Sequence, residues 1–255
     1  MLLNSILNSY NPEGIRVVGT YQCKRNCSFC YQTHKISNVL CPIKFEVFLQ
    51  ELIKHKFYPT YFTFQGGEIS DFVDESYEWF RLADKYYPQI FRKSITSNGH
   101  GDIEYYLKSK LLGISHITFS LHNDLHKSVE DKLVILKNDG FFTVRVNCYL
   151  NMDKLEDVKY VIDFCTENKI QLTLCEDLRL SSEIDYDSAN ILTQTGIIDS
   201  TYVIDRYRHQ SILTSEHHNF RIWIYKHLNH YDYNNIIVKP DGTLTMTFDD
   251  IINSL

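Results

Sequence analysis

The sequence predicts an α/β fold, an open or partial barrel of parallel strands joined by helices, followed by a smaller C-terminal extension. Three observations carry this expectation. Six strand-like runs alternate with helical runs between residues 15 and 176, the pattern of parallel strands joined by helical crossovers. Within those strands one face is apolar and the other largely polar, whereas parallel strands buried on both faces read as near-continuous apolar runs. The chain has 255 residues, of which 44% are hydrophobic and 23% charged, enough for one α/β domain with a sizeable core.

The elements follow in order. Residues 15–22, Ile-Arg-Val-Val-Gly-Thr-Tyr-Gln, form the first expected strand. Phe45, Phe48, Leu49, Leu52 and Ile53 recur at helical spacing within 42–57. Thr60 to Gln65 is the second strand and ends in Gly66-Gly67-Glu68, after which Ser70 or Asp71 is expected to cap a helix running to about Tyr87, before Pro88. Lys93 to Ser97 is the third strand, closed by Asn98-Gly99, and a helix near 102–112 leads to Gly113. His116 to His122 is the fourth, followed by a helix near 125–138 that stops at Asp139-Gly140. Phe142 to Leu150, a helix near 153–167 and Ile170 to Cys175 complete the set.

Side chains alternate across a strand, so the polar residues of each run share a face. These are Arg16, Thr20 and Gln22; Thr63 and Gln65; Ser94, Thr96 and Asn98; His116, Thr118, Ser120 and His122; Arg145, Asn147 and Tyr149; Gln171 and Thr173. A fully packed eight-stranded barrel fills its lumen with branched apolar side chains. A polar lumen implies an open or partial barrel that holds a polar ligand. An antiparallel sheet with one wet face would show the same alternation, but the intervening helical runs favour crossovers. The Arg145 guanidinium is costly to bury alone and is expected to meet a protein carboxylate or an anionic ligand. Beyond residue 177, Asp177 to about Thr201 is polar and loop-rich, and Phe220 to Tyr225 is strand-like. Ile236 to Met246 reads as a hairpin around Pro240-Asp241-Gly242.

Seven cysteines, an odd number, argue against a disulfide framework. Cys23, Cys27 and Cys30 stand at C-x3-C-x2-C directly after the first strand, with Phe29 before the third. Three close thiolates with no local fourth ligand suit an iron–sulfur cluster with one open iron. With His34 or Cys41 as a fourth ligand they would suit zinc. Cys41, Cys148, Cys165 and Cys175 are isolated, as buried cysteines commonly are, and residues 177–255 hold no second cysteine cluster. His217-His218 reads as solvated surface. The net charge of −6 gives no global attraction for a nucleic-acid backbone. Neither a signal peptide nor a membrane span is expected, and a reducing cytoplasm is.

The stretch Cys23-Lys24-Arg25-Asn26-Cys27-Ser28-Phe29-Cys30-Tyr31 resembles the cluster motif of the radical S-adenosylmethionine (SAM) enzymes. Gly66-Gly67-Glu68, one strand–helix unit later, resembles that family's Gly-Gly-Glu segment. The resemblance covers roughly residues 15–176 and implies a partial (β/α)6 barrel over 1–176, with 177–255 as an extension packing on it. It implies that Cys23, Cys27 and Cys30 hold a [4Fe–4S] cluster whose fourth iron is chelated by SAM. Phe29 would lie beside the adenine, and Gly66, Gly67 and Glu68 would receive the methionine ammonium. That chemistry is sound, because an ammonium needs acceptors and glycines let the backbone come close. Ser97, Asn98, Ser120 and Asn147 match further SAM contacts, each toward the C-terminal end of a strand, where α/β ligands bind. His122, Arg145 and Tyr149 share the polar face and are candidate substrate contacts; no catalytic acid or base is assigned.

The implied activity is reductive cleavage of SAM to methionine and a 5′-deoxyadenosyl radical, which abstracts hydrogen from substrate. An electron donor such as flavodoxin or ferredoxin is implied. Cys30-Tyr31 and the Pro-Asp-Gly hairpin are similar to peptide-modifying members, so a peptide or protein side chain is the first expected substrate. No auxiliary-cluster domain is apparent. A nucleoside, nucleotide or other small polar metabolite is the second expectation, which the polar lumen suits. A non-enzymatic zinc or iron–sulfur scaffold is the third.

Overall fold

The computed structural model describes residues 2–9, 12–25, 27, 30, 38–121, 127–176, 187–207, 210–225 and 235–246. The candidates Phe29 and His122, and the zinc candidate His34, lie outside the described residues. In chain order the elements are α1 (Leu2–Ser9), β1 (Gly14–Thr20), α2 (Pro42–Lys54), β2 (Tyr61–Gly66), α3 (Val73–Tyr86), β3 (Arg92–Ser97) and α4 (Ile103–Ser109). Next come β4 (His116–Leu121), α5 (Lys127–Asp139), β5 (Thr143–Tyr149), α6 (Leu155–Glu167), β6 (Gln171–Cys175) and α7 (Ser188–Gln194). The last five are β7 (Tyr202–Tyr207), β8 (Gln210–Ser215), β9 (Phe220–Tyr225), β10 (Asn235–Val238) and β11 (Leu244–Thr245).

Two compact units make up the chain: residues 1–117, 141–143 and 230–255, and residues 118–140 and 144–229. In the first, the strands run in the order β11, β10, β1, β2, β3. β1 is parallel to both β10 and β2, β2 is parallel to β3, and β10 is antiparallel to β11. The register sets Ile15 beside Phe62 and Val17 beside Phe64. Phe64 meets Phe45 of α2 edge-on at 6.2 Å and Phe80 of α3 at 4.8 Å, so the two helices cover this apolar face with aromatic contacts.

In the second unit β5, β6 and β9 are parallel, and β9, β8 and β7 continue as an antiparallel meander. The alternation expected from sequence holds in β5, where Val144, Val146 and Cys148 are buried and Arg145, Asn147 and Tyr149 are not. It holds equally in β4, where Ile117, Phe119 and Leu121 are buried and His116, Thr118 and Ser120 are partly exposed.

Several expectations change. β1 ends at Thr20 instead of residue 22, because its pairing with β2 shifts register between Val18 and Thr20. Its second face is only partly wet: Arg16 is partly exposed and Thr20 is buried, while Val18 packs with Ile237 of β10 and Tyr21 adds to the cluster. In β3 the apolar face carries Lys93, which is 1% exposed. Its ammonium donates to Asp84 at 2.9 Å and to the Ile90 carbonyl at 2.8 Å, the pairing that a buried cation requires. The helix expected after Ser70 or Asp71 begins at Val73, and Ile69–Asp71 forms a 3₁₀ turn capped by Glu68.

The stretch expected to be loop holds α7, and β7 and β8 follow it. The expected hairpin is present, with Ile237 opposite Thr245, Val238 opposite Leu244, and Gly242 turning at φ +87°. Residues beyond 177 add β9 beside β6 and β10 beside β1, so they extend both units. Among the described residues no helix is long and apolar enough to cross a membrane.

Candidate functional site

The cysteine loop leaves the first unit's sheet at Thr20 and returns to it at Val39, which forms an antiparallel bridge with Thr20. The Leu40 amide donates to Gly19 O at 2.7 Å. The Thr20 hydroxyl donates to Asn38 O at 3.3 Å and accepts from the Gln22 amide at 3.0 Å. Trp79 of α3 is fully buried, and its indole donates to Leu40 O at 3.0 Å. Gly19 makes room for it, since a Cβ there would come within 2.2 Å of the Trp79 ring. Both ends of the loop are therefore pinned to β1 and α3.

Cys23, Cys27 and Cys30 form no disulfide and are partly exposed on this loop. The Cys30 amide donates to Cys27 O at 3.1 Å, closing a turn between the last two thiols. Lys24, between the first two, pairs with Asp71 at 3.2 Å. Cys41 is exposed at the N-terminus of α2. Cys148 and Cys165 are buried, and burial pushes the Cys148 thiol up to about 12. A thiol held protonated this way is a poor ligand. Among the described residues no three His, Cys, Asp or Glu side chains converge as a metal site by themselves.

The segment after β2 lies flush against the root of this loop. The Gly67 amide donates to Thr20 O at 2.7 Å, and the Glu68 amide to Gln22 O at 2.8 Å. A Cβ on Gly66 would sit 2.3 Å from Thr20 O, and one on Gly67 only 1.9 Å from Gln22 O. Gly66 also holds φ at +144°, a conformation that glycine adopts freely. The two glycines are needed for contact with the chain's own backbone, one residue before Cys23.

Glu68 is 2% exposed. Its Oε1 accepts from the Ser70 amide at 3.0 Å, the Ser70 hydroxyl at 2.7 Å and the Ser97 hydroxyl at 2.8 Å. Its Oε2 accepts from the Asn98 amide at 2.7 Å. Ser97 lies on the same face of β3 as Lys93 and Ile95, 2.7 Å from the buried Tyr106 hydroxyl of α4. Its hydroxyl also accepts from the Gly99 amide at 3.1 Å. Burial, reinforced by the Glu68 charge, holds the Tyr106 phenol well above its ordinary range. The Asn98 side chain accepts from the His100 amide at 2.9 Å.

The first unit thus brings together Cys23, Cys27, Cys30, Gly66, Gly67, Glu68, Ser97 and Asn98. The second carries Ser120, Asn147, Arg145 and Tyr149, with Asn147 beside Thr173 and Tyr149 beside Cys175 across β5 and β6. Arg145 is held by a neutral amide on the neighbouring strand: its Nε donates to the Gln171 side-chain oxygen at 2.6 Å. Sequence reasoning did not single out Tyr106 or the Thr20–Gln22 backbone, because their roles depend on pairings that no local pattern encodes.

This donor set fits an iron–sulfur cluster with SAM beside it. Three cysteines outside any disulfide share one anchored loop, and a side-chain-free stretch of backbone adjoins its root. Residues 17–162 match the family model of the radical SAM superfamily. No curated protein matches the sequence.

Among solved structures, Streptococcus suis SuiB bound to precursor peptide SuiA is 16% identical, with a TM-score of 0.65 over 100% of this chain and 63% of that one. SuiB bound to S-adenosylmethionine gives 16% and 0.63, over 96% and 63%. BtrN in complex with AdoMet and 2-DOIA gives 15% and 0.53, over 96% and 76%. The chain spans less than two thirds of SuiB's length. At such identities the likeness shows the fold, a partial barrel whose mostly parallel sheet is not closed.

Proposed function

The chain belongs to the radical SAM superfamily and is an enzyme of it, and from that premise we propose that it takes hydrogen from a peptide or protein side chain. The family implies SAM and an iron–sulfur cluster. Cys23, Cys27 and Cys30 would hold the cluster, which would supply a low-potential electron for reductive cleavage of SAM. The carrying observation is the pair of hydrogen bonds from Gly67 and Glu68 to Thr20 and Gln22. They set the segment proposed to seat the methionine end of SAM against the root of the cysteine loop.

The chain's own residues then have distinct tasks. The three thiols ligate, and the pinned loop base fixes where they can reach. Gly66 and Gly67 leave their carbonyls approachable for an ammonium. Ser97 and Asn98 shape the neighbouring turn. Phe29 is proposed beside the adenine, Ser120 and Asn147 as polar SAM contacts, and His122, Arg145 and Tyr149 as substrate contacts. A reductant such as flavodoxin or ferredoxin is proposed as the electron donor. A peptide substrate is supported by the likeness in fold to SuiB, a structure solved with a precursor peptide.

A second reading, a small polar metabolite, is favoured by the partly exposed polar row Arg145, Asn147, Gln171 and Thr173 of β5 and β6. The test is anaerobic turnover with dithionite, SAM and a perdeuterated peptide library. Deuterium appearing in 5′-deoxyadenosine supports the peptide reading. No transfer from peptides, with transfer from a deuterated metabolite pool, replaces it with the second.

A further inference from the structure

A cavity of about 340 Å³ opens in the second unit, lined by α6, by the segment from Gly196 to Asp199 and by the turn that joins β8 to β9. Its floor is apolar: Ile162, Ile197, Ile198 and Tyr202 are all buried. Its rim is charged. Sites for small ligands are built this way, as an apolar concavity with a few placed polar groups. None of the residues proposed for the cluster, for SAM or for substrate lines it. The chain itself ties the walls together. The Ile198 amide donates to Leu192 O at 3.0 Å, and the Lys169 ammonium donates to the His218 carbonyl. The His218 ring stacks on Tyr202 with centroids 5.8 Å apart.

The rim charges are not equivalent. Lys159 pairs with Asp163 at 2.6 Å, and His218 Nε2 lies 2.9 Å from the Asp199 carboxylate. Those four groups answer one another. Glu167, the last residue of α6, and Lys169, two residues on, remain: among the described residues neither forms an ion pair. On an open surface a lone charge is ordinary. Here one charge of each sign borders the same apolar floor.

We infer that this cavity binds a small zwitterion with an apolar side chain, the chemistry of a free α-amino acid such as leucine. The ligand ammonium meets the Glu167 carboxylate. Its carboxylate meets Lys169, whose ammonium has two donors beyond the one given to His218 O. Its side chain covers Ile162, Ile197 and Ile198. A ligand of a single charge would leave one rim group facing a like charge, so the pair selects for both ends at once. The site is independent of SAM cleavage and stands or falls without it.

The test uses the full chain, purified anaerobically with isotope-labelled isoleucine methyl groups, and follows them by NMR during titration with L-leucine. The methyl signals of Ile162, Ile197 and Ile198 should move together and saturate, while those of Ile15 and Ile95 in the first unit should stay in place. Isocaproate, which is leucine without its ammonium, and isoamylamine, which is leucine without its carboxylate, should each bind roughly tenfold or more weakly, the scale of one charge-assisted hydrogen bond. Glu167→Gln and Lys169→Gln should weaken leucine by a similar factor, and Lys169→Arg should keep it. Glu167→Gln breaks no bond within the described chain, so its effect separates ligand contact from folding.

A titration that leaves the three cavity methyls unmoved, or moves only isoleucines elsewhere, overturns the inference. Equal binding of leucine, isocaproate and isoamylamine also overturns it, because the rim would then read no charge. So does leucine binding that survives both Glu167→Gln and Lys169→Gln.

Discussion

Replacing Gly67 by alanine tests the most constrained contact of the site. The new Cβ would lie 1.9 Å from Gln22 O, 2.4 Å from Gln22 C and 2.9 Å from Gln22 N. All three are backbone atoms, so no flexible side chain can move aside. Either the glycine segment or the start of the cysteine loop must shift, and the hydrogen bonds from Gly67 to Thr20 O and from Glu68 to Gln22 O are lost or stretched. Overpacking of this kind costs about 1–3 kcal/mol, and two backbone hydrogen bonds add about 1 kcal/mol each. The expected loss is therefore about 3–5 kcal/mol, a fall in Tm of roughly 10 °C for a chain of this size.

Gly140→Ala is the matched control. Gly140 holds φ at +75°, and a Cβ there would meet nothing within 4 Å, so the substitution loses only the left-handed preference, about 1–2 kcal/mol. Urea unfolding and calorimetry of both variants before reconstitution, and SAM affinity afterwards, complete the assay. A Gly67→Ala chain as stable as Gly140→Ala, with normal SAM binding, would refute the claim that the two motifs are pressed together.

Other outcomes follow from the same contacts. Asp84→Ala leaves Lys93 buried without its carboxylate partner and should cost about 2–4 kcal/mol, while adding Lys93→Met should recover most of it in a double-mutant cycle; no recovery would refute the pairing. Thr201 and His218 hold the Asp199 carboxyl down from its ordinary 3.8 to about 2. A depressed pKa adds stability that is present above 3.8 and is lost as pH falls through about 2, so Asp199→Asn should flatten acid unfolding between those limits, and an unchanged acid limb would count against it. Arg145→Leu removes the hydrogen bond to Gln171 and should leave Tm within a few degrees, the scale of about 1 kcal/mol. It should retain dithionite-driven SAM cleavage and lose peptide-dependent turnover, and loss of both would move Arg145 from substrate to SAM or to the fold.

Parts of this architecture were legible because they depend on local periodicity. Ile117, Phe119 and Leu121 in β4, and Val144, Val146 and Cys148 in β5, alternate with polar residues, and period two places them on one face. Pro240-Asp241-Gly242 announced its turn through backbone chemistry. Spacing alone marked Cys23, Cys27 and Cys30. What stayed hidden depends on partners distant in sequence. Lys93 reads as a polar interruption until Asp84 of α3 is seen beneath it. Glu68 reads as a free carboxylate until Ser97 and Asn98, 29 and 30 residues downstream, are seen to donate to it. α7, β7 and β8 mix polar and apolar residues, and the two strands take their register from β9.

The central claim is that Cys23, Cys27 and Cys30 hold a cluster that reduces SAM seated at Gly66–Glu68. Its most direct test is one anaerobic reconstitution of the wild-type chain, Cys27→Ala and Cys165→Ala, with iron, sulfide and dithionite-dependent 5′-deoxyadenosine measured in the same samples. The account predicts about four irons per chain and 5′-deoxyadenosine formation in the wild type and Cys165→Ala, and neither in Cys27→Ala. Stoichiometric zinc without iron uptake, or a Cys27→Ala chain that still cleaves SAM, would contradict it.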